Sequence, residues 1–247
     1  MPRYKLTIEY DGTPYHGWQK QEHGPSVQAA LEAACAQFAD REVELFVAGR
    51  TDAGVHAKGQ VAHVDFPQRD PFNIREGLNR ILIPHPIVIL KAEEVSDEFH
   101  ARFDAKKRHY LYRILNRDAR PTFDEKRVWH IFKPLDIEAM QAAAKYLIGH
   151  HDFTSFRSSE CQSKSPMKTL DKLTVKRREK DPTQVMIKTC AKSFLHHQVR
   201  NMVGTLTLVG TGKWKPEQVK EALEAKDRAA SGVKAPAHAL YLMKVDY

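Results

Sequence analysis

The sequence predicts an α+β fold made of two related halves, each running strand–helix–strand–strand–helix–strand, the split βαβ or ferredoxin-like order. Three observations carry this expectation. Stretches with an apolar period of two alternate with stretches of helical period. The same six-element order occurs on both sides of a charged stretch at 94–107. The composition, 42% hydrophobic and 28% charged over 247 residues, is that of a folded chain long enough for one large domain or two ordinary ones. No repeat of the sequence itself accompanies the doubled order. The expected division is 1–103 and 104–247, with the chemistry-bearing loop in the first part.

In the first half, Tyr4, Leu6, Ile8 and Tyr10 share one face and Lys5, Thr7 and Glu9 the other, which reads as a half-buried strand. Asp11-Gly12-Thr13-Pro14 breaks it. Ser26 is placed to cap a helix with Val27, Leu31, Ala34, Cys35 and Phe38 on its apolar face. Strands are expected at 43–48 and 60–66, flanking a glycine-containing loop. Asn73 with Glu76 resembles a capping box for a helix bearing Ile74, Leu78, Ile81 and Leu82, and Pro84 and Pro86 stop it. A short strand follows at 87–90.

In the second half, 109–116 alternates as a strand. Asp136 caps a helix with Ile137, Met140, Ala144, Leu147 and Ile148 inward, ended by Gly149. The stretches 170–178 and 184–190 read as a hairpin around Lys180-Asp181-Pro182. A long helix follows, marked by Leu195, Val199, Met202, Leu206 and Val209. A further helix starts at Pro216, and 240–247 closes the fold as a strand.

Lys plus Arg is 39 against 31 for Asp plus Glu, a formal net charge of +8, which favours a polyanionic partner, nucleic acid first. Cys35, Cys161 and Cys190 are odd in number, far apart and form no C-x-x-C pair, which argues against a disulfide framework and a cysteine-rich zinc site and fits a reducing cytoplasm. No apolar run reaches the roughly 18 residues of a membrane span, and 1–10 has no signal-peptide core.

The most informative segment is Ala48-Gly49-Arg50-Thr51-Asp52-Ala53-Gly54-Val55-His56-Ala57, between two expected strands. Gly49 and Gly54 permit positive φ or a close approach, and the small neighbours leave room for a flat substrate. Arg50, two residues before Asp52, is expected to keep that carboxylate ionised. An ionised, oriented carboxylate serves as nucleophile or general base. The plain alternative is a tight surface turn holding a local Arg50–Asp52 ion pair. On the residues alone the two readings weigh about equally.

This loop resembles the catalytic loop of the tRNA pseudouridine synthase A family. Five further segments agree with that family in order along the chain: Tyr10-Asp11-Gly12-Thr13-Pro14-Tyr15-His16-Gly17-Trp18-Gln19; Arg108-His109-Tyr110-Leu111-Tyr112-Arg113-Ile114; Asp152-Phe153-Thr154-Ser155-Phe156-Arg157; Phe194-Leu195-His196-His197-Gln198-Val199-Arg200-Asn201-Met202-Val203-Gly204; and Ala235-Pro236-Ala237-His238-Ala239-Leu240-Tyr241-Leu242. Ala239 stands where the family usually shows Gly. The resemblance implies the pseudouridine synthase fold: two ferredoxin-like halves sharing a mostly antiparallel sheet, with the active site in the cleft between them. The reaction it implies detaches uracil from its ribose, turns it, and rejoins it through C5, without metal, nucleotide or redox cofactor. The implied substrate is the anticodon arm of tRNA, at positions 38, 39 and 40, and the implied assembly is a homodimer.

Residue by residue, the resemblance makes Asp52 the catalytic residue. Attack on the sugar and removal of a sugar proton are both compatible with a carboxylate. Arg50 fills the space left by the extruded base or contacts phosphate; extrusion itself costs a few kcal/mol. Tyr110 stacks on the target pyrimidine, worth roughly 1–3 kcal/mol, and its hydroxyl can relay the C5 proton. For a strand tyrosine met alone, core packing is the commoner role. Arg200 sits next to the apolar face of the long helix, where a charge is costly unless paired, and Asp52 is the implied partner. Leu240 supplies an apolar wall near the uracil. Lys106, Lys107 and Arg108 are candidates for gripping phosphates, together with Lys164, Lys168, Lys172 and Lys176-Arg177-Arg178; the plain reading of each is a solvated face. The pairs His150-His151 and His196-His197 lack metal-site spacing. Two other classes compete: a catalytically silent RNA-binding module, and a glycosylase in which water intercepts the sugar.

Overall fold

The computed structural model describes residues 1–247. The chain divides into two units, residues 1–106 with 241–247, and residues 107–240. The expected division at 103/104 left the last strand in the second part; here residues 241–247 group with the first unit. That membership follows from pairing between residues far apart in sequence.

The first unit contains β1 (Arg3–Tyr10), α1 (Val27–Ala39), β2 (Phe46–Val47), β3 (His56–Asp65), α2 (Pro71–Ile81) and β4 (Ile87–Val95), in the expected order. Its sheet runs β4-β1-β3, antiparallel throughout, with β2 antiparallel on β3. β1 keeps the period of two: Tyr4, Leu6, Ile8 and Tyr10 are buried. β10 (Leu240–Asp246) adds a parallel pairing in which Tyr241 meets His56 and Leu242 meets Ala57, at the beginning of β3. α1 buries Val27, Leu31, Ala34 and Cys35, and α2 buries Ile74 and Leu78. The rings of Tyr4 and Phe38 pack on Phe66 at 6.2 and 5.8 Å.

The second unit contains β5 (Lys107–Leu115), β6 (Trp129–His130), α3 (Ile137–Lys145), β7 (Gly149–Asp152), β8 (Met167–Arg178), β9 (Asp181–Ala191), α4 (Gln198–Gly210) and α5 (Glu217–Glu224). Its sheet runs β5-β9-β8-β7, antiparallel, with β6 parallel on β5. α4 is buried on nearly every face, and α3 buries Met140, Ala143 and Ala144.

Several local expectations are corrected. The capping box at Asn73 does not form. Asp70 caps α2 by accepting from the Phe72 N–H at 2.7 Å, with Pro71 at the first helical position. The strand expected at 43–48 is only Phe46–Val47, while β4 extends past the expected 90 to Val95, because β1 pairs along its whole length. α3 stops at Lys145 rather than Ile148; Gly149, at φ +115°, opens β7 instead. α4 begins at Gln198, not Leu195, with His197 before it at φ +65°. The hairpin turns at Glu179-Lys180, since Arg178 pairs with Asp181 and β9 takes in Pro182.

Candidate active site

Asp52 lies in the loop joining β2 to β3, and its side chain is partly exposed. The backbone around it is held at almost every residue. The Ala48 N–H donates to the Val61 carbonyl at 2.8 Å. The Gln60 side chain, fully buried, donates to the Gly49 carbonyl at 2.8 Å. The Thr51 hydroxyl meets the Tyr10 hydroxyl at 2.7 Å, and the Thr51 carbonyl accepts from the Trp18 N–H at 3.0 Å. The Asp52 carbonyl accepts from the Val55 N–H at 3.1 Å, closing the turn, and the Gly54 N–H donates to the Tyr15 carbonyl at 3.3 Å.

This arrangement explains the glycines. Gly54 has φ +77°, as its expected freedom requires, whereas Gly49 does not adopt a positive φ. The N-terminal loop after β1 presses directly on the Asp52 loop. The Gly12 N–H donates to Nδ1 of His56 at 3.1 Å, and the buried His56 ring stacks on Tyr241 with centroids 4.7 Å apart.

Arg50 is exposed and makes no ion pair with Asp52. The plain alternative, a local Arg50–Asp52 ion pair, does not form; Thr51 between them is held by its hydroxyl and its carbonyl.

The other expected residues lie in, or next to, the second unit. Tyr110 is on β5, paired with Thr189 of β9, with its ring edge-on to Phe194 at 5.2 Å. Arg200 is on α4 and buried to 8% exposure; its Nε donates to the Ala235 carbonyl at 2.8 Å. Its charge bears on Tyr112, whose hydroxyl donates to the Pro236 carbonyl at 2.8 Å. Burial drives the Tyr112 phenol far up, more than Arg200 pulls it down, so it stays protonated. Leu240 is 5% exposed and follows a short turn at 237–239 in which Ala239 is fully buried.

The basic cluster is not one uniform surface. Lys106 is exposed. Lys107 is half-exposed and pairs with Asp171 at 3.1 Å. Arg108 is buried at 8% exposure and donates to the Lys192 carbonyl at 2.5 Å. Arg177 is likewise spent on structure, donating to Pro182 O, Asn116 Oδ1 and Leu135 O. His150 and His151 turn to separate partners, Thr169 Oγ1 and the Ile148 carbonyl.

Three residues important to the loop, Tyr10, Thr51 and Gln60, were not expected from the sequence. The available signal was a tyrosine and a glutamine at strand positions bordering the loop, which is weak without knowing the register.

A family model described as tRNA pseudouridine synthase matches residues 6–104 and 143–247. A tRNA pseudouridine synthase A of Parvibaculum lavamentivorans is 54% identical, covering 100% of both chains. One from Nitrobacter winogradskyi is 56% identical, covering 100% of this chain and 96% of the relative. Among solved structures, a chain of a Cbf5-Nop10-Gar1 complex aligns at 10% identity with a TM-score of 0.36, over 83% of this chain and 45% of that one. No helix is long and apolar enough to cross a membrane.

Proposed function

From the premise that this chain belongs to the tRNA pseudouridine synthase family, and therefore isomerises uridine in tRNA to pseudouridine, we propose that Asp52 is its catalytic residue and that its targets are positions 38, 39 and 40 of the anticodon arm. The observation that carries the assignment to Asp52 is the clasped loop. A partly exposed carboxylate sits on a backbone fixed before and after it by five hydrogen bonds from β3, β1 and the N-terminal loop. A reacting group held in one place keeps its near-attack geometry while the base leaves, turns and returns.

The chemistry requires that the bond from C1′ to N1 break, that a bond from C1′ to C5 form, that the C5 proton depart, and that N1 end protonated. Asp52 serves the sugar side, by attack at C1′ or by taking a sugar proton. Tyr110 offers a stacking face to the base, and its hydroxyl serves proton transfer at C5. Arg50, exposed and without an ion pair of its own, enters the gap left by the extruded base or binds phosphate. Arg200 provides a buried positive charge for the same reaction, and Leu240 an apolar wall for the uracil. Lys106 and Lys107 hold backbone phosphate; Arg108, committed to the Lys192 carbonyl, supports their strand. No cofactor is required. The enzyme acts as a homodimer in the cytoplasm.

The test is position mapping. tRNA transcripts carrying uridine singly at 38, 39 or 40 are treated with the enzyme, and pseudouridine is located by chemical derivatisation and primer extension. Modification at these positions alone is expected. Pseudouridine formed elsewhere would move the target while leaving the chemistry. Free uracil and abasic product would favour glycosylase chemistry.

A further inference from the structure

We propose that Tyr10 and Thr51 form a positioning clasp that sets the orientation of Asp52, and that this is the task of the N-terminal segment Tyr10–Trp18. The inference rests on the reading of Asp52 as the catalytic residue. Tyr10 ends β1 and is 2% exposed, with its ring against Trp18 at 6.0 Å. Its hydroxyl lies 2.7 Å from Thr51 Oγ1. Thr51 is adjacent to Asp52 in the chain, and the Trp18 N–H holds the Thr51 carbonyl at the same time. Both backbone-orienting handles of the residue before Asp52 thus end on one short N-terminal segment.

Gln60 ties the clasp to the sheet. The Gln60 amide nitrogen donates to the Gly49 carbonyl at 2.8 Å and to the Tyr10 oxygen at 3.5 Å. The Tyr10 and Thr51 hydroxyls share one hydrogen bond in which either oxygen can donate, and the Tyr10 oxygen keeps a lone pair for the Gln60 amide. Burial pushes the Tyr10 phenol up to about 12, so its proton is present throughout the neutral range. A chain Gln60 to Tyr10 to Thr51 therefore fixes the loop from the sheet outward. Its loss frees the Thr51 side chain to turn and lets the Asp52 carboxylate wander, and small displacements of a reacting group lower turnover steeply.

A positioning role predicts a loss in kcat with KM preserved. Asp52→Ala, Tyr10→Phe, Thr51→Ser, Thr51→Val and the double Tyr10→Phe/Thr51→Val variant are compared with wild type on one tRNA transcript, alongside tRNA affinity and thermal melting. Tyr10→Phe and Thr51→Val are each expected to lower kcat about tenfold with KM within about twofold. Thr51→Ser, which keeps the hydroxyl, is expected within about twofold of wild type. The double variant should be no slower than the slower single one, because both remove the same bond. Wild-type kcat in Tyr10→Phe, or losses that multiply in the double variant, would overturn the clasp. So would a kcat loss that merely follows the unfolded fraction seen in melting. Activity retained by Asp52→Ala would remove the catalytic assignment and the clasp with it; an inactive Asp52→Ala beside a fully active Tyr10→Phe would remove the clasp alone.

Discussion

Gly12 has no room for a side chain. A Cβ there would stand 2.0 Å from the Val55 carbonyl oxygen, which is backbone and cannot step aside without moving the Asp52 loop. Gly12→Ala is therefore expected to cost about 2 kcal/mol or more in stability and to lower kcat at least tenfold, read by urea unfolding and steady-state turnover. His63 makes a different prediction at the same scale. It is 1% exposed and stacked on Phe46 at 4.9 Å, and its Nδ1 accepts from the Ala101 N–H at 3.1 Å. Burial pushes its pKa down to about 4, helped by the charges of Arg3 and His100 and opposed by Asp65 and Asp104. The unfolded chain's histidine titrates near 6.5. Between those values the unfolded state takes up a proton that the folded state refuses. Stability is thus complete above about pH 6.5, falls as pH drops toward 4, and levels below it, a span of about 3 kcal/mol. Urea unfolding at pH 7.5 and 4.5 should show that loss in wild type and a smaller one in His63→Gln. The proposal for Asp52 comes from the sequence, where six motifs fall in family order. The alternative of a local Arg50–Asp52 ion pair could not be decided from spacing along the loop, which does not say which way neighbouring side chains turn.

The elements were legible where their signals are local. Ser26 and Asp136 cap α1 and α3 by accepting from Ala29 N and Ala139 N, as their spacing predicts. For α2 the sequence reading placed the start at Asn73 with Glu76, whereas the helix starts at Asp70-Pro71. The earlier start is favoured because proline at the first turn lacks the N–H that would go unsatisfied and already has helical φ. Asp70→Ala should then destabilise the first unit by about 1 kcal/mol and Asn73→Ala by clearly less, measured by urea unfolding. Strand lengths were the least legible. β2 and β4 are set by what their neighbours offer for pairing, and that is not written in their own residues. The same holds for the bulges in β1, where the register shifts near Ile8.

For the whole molecule, the sequence carried the element order of the first unit; in the second it missed the short strands β6 and β7, and it missed the membership of the last strand, because β10 joins β3 across more than half the chain. The net charge of +8 was also legible, though not its use: Arg108 and Arg177 are tied to backbone, while Lys106 and Arg50 remain exposed. Affinity for tRNA should accordingly come from a small number of phosphate contacts. Raising salt from 50 to 200 mM is expected to weaken binding by roughly ten- to a hundredfold, with log Kd linear in log salt in a filter-binding assay. The most direct test of the account is tritium release from a tRNA transcript carrying 5-tritiated uridine, with wild type and Asp52→Ala side by side. Rejoining through C5 must expel that tritium. The account predicts release by wild type and none by a folded Asp52→Ala that still binds tRNA. Equal release by the two proteins would contradict it.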